Sequence, residues 1–177
     1  MAEETLTIRS ERLLLRVVRE GDRELLAAIQ REPEVAQWWG PVNDDDFLPI
    51  EVDPDGDDEF LQLAIVIQDE VAGVIQFGQE LDPMYRSANI DMFLAPRFHR
   101  QGYGREAILL VAHYLIDVRA HHRLSIDPSA ANSTAIAVYA SVGFRPVGIL
   151  RSYERDTDGD GWHDGLLMDL VAAELTD

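Results

Sequence analysis

A basic loop at residues 97–105 is the first stretch whose residue types suggest chemistry. Gly102 and Gly104 stand one residue apart, next to Arg100 and Arg105. Glycines let the backbone approach an anion without interference from a Cβ atom, and the N-terminus of a following helix directs unpaired N–H groups at the same point. The loop is therefore predicted to cradle a diphosphate. The alternative is a strand-to-helix turn whose glycines only relieve backbone strain.

A second set of candidate residues lies in the segment 127–143. Asp127 ends a predicted strand, and such strand ends border clefts in open α/β sheets. Asn132 and Tyr139 are seven residues apart, which places them on one face of a predicted helix that stops at Gly143. Spacing alone leaves two structural alternatives open. Asn132 can be the N-cap of the helix, and Tyr139 can be a core residue.

The elements that must position these residues follow from hydrophobic patterning. Their order, β-α-α-β-β-β-α-β-α-β-β, predicts one α/β domain over residues 1–177 with a mixed sheet. The predicted strands cover residues 6–18, 60–68, 71–80, 88–95, 122–127, 144–152 and 166–172. The predicted helices lie around 25–29, from 33 to 39, around 108–116, and from 132 to 142.

Composition narrows the class of protein. The chain has 177 residues, a formal net charge of −18 and no cysteine, which excludes disulfides, thiolate metal sites and a cysteine nucleophile. Such a negative charge disfavours nucleic acid and favours a cationic small partner or none. The sequence shows no membrane span and no signal peptide, so we expect a cytoplasmic protein.

Three further features bear on a binding site. Trp38 and Trp39 stand next to each other, and at least one of them is expected to line a surface or a cleft. Nine carboxylates lie within residues 43–59, which predicts a solvated acidic loop. The segment 156–161 resembles the opening of a calcium loop, but Leu167 stands where a glutamate is required, and no metal site is predicted.

Two stretches resemble the GNAT acyltransferases. A strand ending in "FLAP", followed by Arg-Gln-Gly-Tyr-Gly and a helix, looks like the acetyl-CoA loop of that family. His99 departs from the Gln or Arg that the family's pattern has at its first place. The stretch "DPSAANSTAIAVYASVGF" is similar to the second half of the GNAT core. The resemblance implies an α/β GNAT fold with a central, mostly antiparallel mixed sheet, flanked by helices and splayed between the fourth and fifth strands.

The resemblance also implies an acetyl-CoA-dependent N-acetyltransferase that works by direct attack of a primary amine in a ternary complex. Asp127 would orient the amine and accept its proton, and Tyr139 would protonate the departing thiolate. Backbone N–H groups near residues 93–95 would stabilise the oxyanion. The residues expected to bind acetyl-CoA are Phe93, Leu94, Ala95, His99, Arg100, Gln101, Gly102, Tyr103, Gly104, Arg105 and Asn132.

Short patches are closest to the aminoglycoside 6′-N-acetyltransferases, which implies antibiotic resistance and a cationic acceptor. The residues expected to bind that acceptor are Trp38, Trp39, Asp91, Asp127 and Asp164. The stretches "ERLLLRVVREGD" and "WHDGLLMDL" look equally like ribosomal-protein N-terminal acetyltransferases, so a protein N-terminus or a polyamine is the alternative acceptor. A CoA-binding regulatory module without turnover is the non-enzyme alternative. We expect a monomer or a homodimer.

Overall fold

The computed structural model describes residues 6–43, 45–49 and 58–175. Within these residues the chain forms eight strands in one sheet and four α-helices, which confirms the predicted α/β class. The elements are β1 (Thr7–Arg9), β2 (Leu13–Val17), α1 (Arg23–Gln30), α2 (Pro33–Trp39), β3 (Phe60–Ile67), β4 (Glu70–Glu80), β5 (Ser87–Leu94), α3 (Tyr103–His113), β6 (Arg123–Ile126), α4 (Ser133–Val142), β7 (Arg145–Arg155) and β8 (Trp162–Val171).

The strands are ordered β1-β2-β3-β4-β5-β6-β8-β7. Neighbours pair antiparallel except β5 and β6, which run parallel and pair only at Ala88 with Leu124 and at Asn89 with Ser125. Since β5 continues to Leu94, the two strands separate after these pairs. The predicted splay between the fourth and fifth strands is confirmed. The strand numbers differ by one because the first predicted strand is divided into β1 and β2.

The core lies against the central strands and is closed on one side by α3. Ile108, Val111, Ala112 and Leu115 of this helical segment have no exposed surface and form an apolar stripe at helical spacing. Burying a side chain of this size contributes about 1.5–3 kcal/mol relative to leaving it exposed. The packed stripe therefore fixes the N-terminus of α3 relative to the sheet.

Glycines determine where the two site-forming helices begin and end. Gly102 precedes α3 with φ at +84°, and Gly143 ends α4 with φ at +118°, both in the left-handed region that favours glycine. A Cβ atom at Gly143 would lie 2.7 Å from the Glu174 carbonyl oxygen, so the position also needs the space. Asn132 caps α4 by accepting the Ala135 N–H at 3.1 Å, which is the structural alternative that spacing left open beside its expected role in binding acetyl-CoA.

Several boundaries differ from the prediction. The β3–β4 turn is formed by Gln68 and Asp69, both with positive φ, one residue earlier than expected. β7 extends to Arg155, beyond the predicted end at residue 152. In the acidic segment, Asp44 and residues 50–57 lie outside the described residues. No helix in the described part of the chain is long and apolar enough to cross a membrane.

Candidate active site

A cleft of about 1000 Å³ opens at the place where β5 and β6 separate. Its walls come from α2, the end of β5, the loop before α3, the first turn of α3, the segment after β6, α4 and one residue of β7. The predicted site residues that line it are Trp38, Trp39, Asp91, Phe93, Leu94, His99, Arg100, Gly102, Gly104, Arg105, Asp127, Asn132 and Tyr139. The fold thus brings most of the predicted cofactor and acceptor residues to one cavity.

The N-terminus of α3 faces this cleft. Gly102 and Gly104 line it, and the first N–H groups of an α-helix have no partner within the helix. The helical hydrogen bonds of α3 begin only at Glu106, whose N–H donates to the Gly102 carbonyl at 3.1 Å. Arg100 and Arg105 add positive charge beside these amides. Backbone donors, a helix dipole and two guanidinium groups together suit a pyrophosphate, so the residues present fit acetyl-CoA.

Two predicted loop residues, Gln101 and Tyr103, do not line the cleft. The side-chain amide of Gln101 donates to the Arg97 carbonyl at 2.8 Å. The ring of Tyr103 is buried and packs edge-on against Phe98, with 6.0 Å between ring centres. These two side chains lie on the side of the loop away from the cleft, where their contacts fix its conformation. His99, where the sequence departs from the family pattern, places Nε2 at 2.8 Å from the Leu94 carbonyl oxygen.

The end of β5 offers one backbone N–H to the cleft among the predicted residues 93–95. In an antiparallel ladder, successive residues direct their N–H and C=O groups to opposite sides. Ala95 donates its N–H to the Ala72 carbonyl of β4 at 2.8 Å, so that donor is occupied, and Ala95 does not line the cleft. The polar groups of Leu94 consequently point to the side where the sheet has opened. The Leu94 N–H is the backbone donor among residues 93–95 that this register directs toward the opening.

Tyr139 of α4 is both a core residue and a cleft residue. Its side chain is 6% exposed and packs against Phe144, while part of it lines the cavity. Burial raises its pKa above the ordinary value, and the carboxylates of Asp91 and Asp127 raise it further. The phenol therefore keeps its proton at neutral pH and can act as a donor. A core position and a place at the cleft, the two alternatives that the sequence left open for Tyr139, are thus compatible.

Three carboxylates meet in the cleft: Asp91 on β5, Asp127 after β6, and Glu154 on β7. Burial raises the pKa of Asp91 to about 7, and the charges of Asp127 and Glu154 act in the same direction. The Met92 N–H, which donates to Asp91 at 2.9 Å, opposes this shift. A cluster in which one carboxyl group titrates near pH 7 can receive an ammonium group and exchange protons with it.

Glu154 was missed by sequence reasoning. It lies two residues beyond the predicted end of its strand, and its direction depends on an irregularity in the β7–β8 pairing between Leu150 and Glu154. No local sequence signal marks that irregularity. Glu34 of α2 also lines the cleft without having been predicted.

The predicted acceptor residues divide into two groups. Trp38 and Trp39 both line the cleft, and Trp39 also packs edge-on against Phe93 with 4.9 Å between ring centres. Asp164 does not line it. Its carboxylate instead accepts the Ser152 N–H at 2.8 Å, on the neighbouring strand.

The acidic loop between β7 and β8 is closed by its own hydrogen bonds. The Asp156 N–H donates to the Gly161 carbonyl at 3.0 Å, and the Asp160 N–H donates to Asp158 at 3.1 Å. In the described ranges 6–43, 45–49 and 58–175, no group of three or more His, Cys, Asp or Glu side chains is placed to hold a metal ion.

A sheet opened between two parallel strands, with a helix N-terminus beside the opening, defines an acyltransferase of the class that the sequence resembles. The family model for the acetyltransferase (GNAT) domain matches residues 12–145. The chain belongs to the GNAT acetyltransferase family. Members of this family are N-acetyltransferases that use acetyl-CoA as the acetyl donor.

Comparison with curated proteins finds [ribosomal protein bS18]-alanine N-acetyltransferase of Escherichia coli strain K12. It is 36% identical over 77 residues, which cover 42% of this chain and 49% of that protein. The chain thus spans about half the length of the curated relatives it matches.

Solved structures share the fold over nearly the whole chain. Ribosomal-protein-S5-alanine acetyltransferase from Vibrio fischeri has a TM-score of 0.79 and 15% identity, covering 97% of this chain and 100% of that one. Mycobacterium smegmatis RimJ in complex with CoA-disulfide has a TM-score of 0.78 and 23% identity, covering 98% of this chain and 89% of that one. Spermidine N-acetyltransferase from Vibrio cholerae, in complex with CoA and spermine, has a TM-score of 0.77 and 18% identity, covering 93% of this chain and 98% of that one.

Proposed function

We propose that this protein transfers the acetyl group of acetyl-CoA to the α-amino group of a protein N-terminus. The observation that carries the proposal is the meeting of Asp127, Tyr139 and the N-terminus of α3 in one cleft. The names of the relatives support the acceptor, since ribosomal-protein alanine acetyltransferases occur among both the sequence and the structural matches.

The proposed chemistry begins with the amine. Acetyl-CoA supplies an activated acetyl thioester, which only a neutral amine attacks. Asp127 orients the incoming ammonium group and accepts its proton, as a positioned general base does. Because a nearby carboxylate also stabilises the charged amine, and raises its pKa by about one to three units, proton transfer accompanies attack rather than preceding it.

The remaining roles belong to Leu94 and Tyr139. The Leu94 N–H, directed into the opening of the sheet, donates to the acetyl oxygen as negative charge develops there. Tyr139 keeps its proton at neutral pH and donates it to the sulfur as the amide bond forms and the thioester bond breaks. The ammonium group loses two protons in all. Asp127 accepts one and passes it to water, and the second, lost as the amide forms, replaces through solvent the proton that Tyr139 gives to sulfur, so Tyr139 is regenerated and CoA leaves as the thiol.

A polyamine is the second candidate acceptor, and one observation favours it. Asp91, Asp127 and Glu154 present three carboxylates to one cleft, which suits a ligand with several ammonium groups. A structural relative is a spermidine N-acetyltransferase. The aminoglycoside acceptor suggested by short sequence patches has the same acidic cleft as its support, whereas the ribosomal-protein alanine acetyltransferases among the relatives favour the protein N-terminus.

Release of CoA thiol from acetyl-CoA tests the acceptor. The assay compares a peptide with a free N-terminal alanine, the same peptide with a blocked N-terminus, spermidine and kanamycin. We expect turnover on the free peptide and none on the blocked one. Turnover on spermidine or kanamycin alone would contradict the proposed acceptor while leaving acetyl transfer intact.

Two substitutions test the assigned roles. Asp127→Asn removes the proton acceptor, and Tyr139→Phe removes the donor to sulfur, so each is expected to lower kcat by at least about 100-fold. Asp69→Asn, in the exposed β3–β4 turn, serves as the control and should behave like the wild type. Full activity of either cleft variant between pH 6 and 9 would refute the role assigned to that residue.

A further inference from the structure

We propose that Glu154 pairs with a positively charged side chain close behind the N-terminus of the acceptor, and that His163 and Asp156 hold its carboxylate at the cleft. The inference deepens the proposed function and rests on it, because the acceptor is the protein N-terminus proposed above. It names the class of N-terminal sequence that the cleft selects. It also gives the acidic side of the cleft a role that requires no polyamine.

A bulge in β7 sets the direction of Glu154. Leu150 lies opposite Gly165 and the next pair is Glu154 with His163, so residues 151–153 of β7 face a single residue of β8. Extra residues on one strand bend it and change the direction of the side chains that follow. Beyond the bulge, Glu154 lines the cleft.

The β7–β8 hairpin gathers three side chains on one face. Residues directly opposite in an antiparallel pair share a face, which applies to Glu154 and His163. Residues two apart along an extended chain also share a face, which directs Asp156 to the same side as Glu154. His163 consequently has a carboxylate near each of its ring nitrogens.

The contacts of His163 define this group of three. Its Nδ1 atom lies 3.0 Å from Oδ1 of Asp156, and its Nε2 atom lies 3.4 Å from Oε2 of Glu154. An ionised carboxylate only accepts hydrogen bonds, so Nδ1 carries the hydrogen. Nε2 is buried and has no hydrogen-bond partner within the described part of the chain. Asp156 thus fixes the ring, and the second ring nitrogen stands against the Glu154 carboxylate.

The loop that carries Asp156 is held by its own hydrogen bonds. The Asp156 N–H donates to the Gly161 carbonyl at 3.0 Å, and the Gly159 N–H donates to the Asp156 carbonyl at 2.8 Å. A Cβ atom at residue 161 would overlap Oδ2 of Asp156, so the glycine leaves the space in which that carboxylate lies. Arg155 also donates to the Gly159 carbonyl at 2.8 Å. Asp156 is therefore a fixed anchor for His163.

Glu154 stays available to a ligand although it is restrained. Its side chain is 48% exposed, whereas that of His163 is 25% exposed. A carboxylate that is already restrained loses less conformational freedom when it binds a cation, which corresponds to about two- to tenfold in affinity for a side chain of this length. His163 and Asp156 are thus positioning residues for Glu154.

One imidazole ring does not neutralise this group. Even a ring with hydrogen on both nitrogens brings one positive charge to two carboxylates, so negative charge remains at Glu154 and Asp156. The charges of Asp127 and Glu154 also both act on Asp91, which shows that the cleft carboxylates lie within reach of one another. The acceptor side of the cleft therefore holds more negative charge than its own residues offset.

An α-ammonium group brings a single positive charge to this surplus. In the proposed reaction Asp127 receives that group, which leaves Glu154 without a positive partner on the acceptor. Electrostatic complementarity then favours an acceptor with a second positive charge. In a protein N-terminus that charge comes from an arginine or lysine side chain a few residues along the chain. An acidic side chain at the same point is repelled.

The test is a set of otherwise identical neutral peptides that begin with a free alanine. Each carries either arginine or glutamine at its second, third or fourth residue. For at least one of these positions, the wild type should show a kcat/KM at least about fivefold higher on the arginine peptide, chiefly through a lower KM. Glu154→Gln keeps the size of the side chain but removes its charge, so the ratio of the two kcat/KM values should fall to about one.

Variants of the supporting residues test the positioning role. His163→Ala and Asp156→Ala should each lower the arginine-to-glutamine ratio by about threefold, because the Glu154 carboxylate is no longer restrained. Asp156→Asn should keep the wild-type ratio, since its amide oxygen can still accept from Nδ1 of His163. Asp160→Asn removes a charge from the same exposed loop and is the matched control, which should leave the ratio unchanged. Thermal unfolding of each variant identifies any loss of fold.

The outcomes separate this inference from the proposed function. Turnover on none of the peptides would overturn the proposed acceptor and this inference with it. Equal turnover of the arginine and glutamine peptides at every position would refute the inference alone, and so would a preference that survives in Glu154→Gln. A preference lost in Glu154→Gln but kept in folded His163→Ala would refute the role of His163, because a general loss of stability would change both values of kcat/KM and not their ratio.

Discussion

The guanidinium group of Arg12 lies 4.3 Å from the centre of the Tyr103 ring, across the first turn of α3. It also donates to the Gln101 carbonyl at 2.7 Å and contacts the Glu106 carboxylate at 3.2 Å. Arg12 comes from the β1–β2 turn, so one side chain fastens the edge of the sheet to both sides of Gly102. The cofactor loop is thus held from behind by a residue that does not line the cleft.

Arg12→Ala is therefore expected to weaken acetyl-CoA binding without altering the chemical step. Loss of a cation–π contact and a charge-assisted hydrogen bond, each worth about 1 kcal/mol at an exposed site, predicts a KM for acetyl-CoA about 30-fold higher. The value of kcat should remain within about twofold.

Steady-state kinetics with varied acetyl-CoA would measure the effect of Arg12→Ala. Arg12→Lys should not restore the wild-type KM, because an ammonium group cannot stack and bridge as a planar guanidinium does. Arg9→Ala, an exposed arginine of β1, is the control. An unchanged KM in Arg12→Ala would show that the loop keeps its shape without this contact.

Asp91→Asn is expected to stabilise the fold while impairing the site. The folded state raises the pKa of Asp91 to about 7, whereas an unfolded aspartate titrates near 3.8. Ionisation therefore favours the unfolded state as pH rises from about 4 to 7, and the cost is complete above pH 7. Asn keeps an acceptor for the Met92 N–H but carries no charge. The predicted gain at pH 8 is about 2–4 kcal/mol.

Chemical denaturation at pH 4 and pH 8 checks this prediction. The stabilisation by Asp91→Asn should be large at pH 8 and nearly absent at pH 4. Asp160→Asn, in the exposed loop between β7 and β8, should show no such gain. Equal effects of Asp91→Asn at both pH values would mean that the charge of Asp91 carries no folding cost.

The sequence predicts the site best where backbone geometry demands one residue type. Gly102 and Gly143 mark the ends of α3 and α4 because their positive φ angles favour glycine. The cap at Asn132 was considered from the sequence only as the alternative to acetyl-CoA binding, and few side chains can cap a helix in this way. The order of elements and the position of the splay follow from hydrophobic patterning and family resemblance.

What the sequence does not reveal depends on pairing between distant strands. The direction of Glu154 and the contact between Ser152 and Asp164 follow from three residues of β7 facing one of β8. Nothing in residues 150–155 alone indicates that register. The predicted position of the β3–β4 turn was wrong by one residue. Gln68 and Asp69 adopt positive φ without the glycine that usually marks such a turn.

His121 is a buried histidine whose surroundings oppose protonation. Its side chain is 1% exposed, and Nε2 lies 2.8 Å from Oε1 of Gln79, whose amide nitrogen donates to the Asp58 carbonyl. The Nε2 atom must therefore carry the hydrogen. Nδ1 is buried without a hydrogen-bond partner among the described residues. Burial lowers the pKa of His121 to about 4, and the charges of Arg86, Arg119 and His122 lower it further.

Stability is consequently expected to fall in acid because of His121. The unfolded histidine binds a proton near pH 6.5 while the folded one does not until about pH 4. The contribution of neutral His121 is complete above pH 6.5 and is lost as pH falls from 6.5 to about 4, amounting to about 3 kcal/mol. His121→Gln keeps an amide donor for Gln79 but cannot titrate, so it should lose that much less stability over the interval. The adjacent His122, which is exposed, provides the control variant His122→Gln. Urea denaturation at pH 7, 6, 5 and 4 measures the difference, and parallel curves for His121→Gln and the wild type would show that His121 titrates alike in both states.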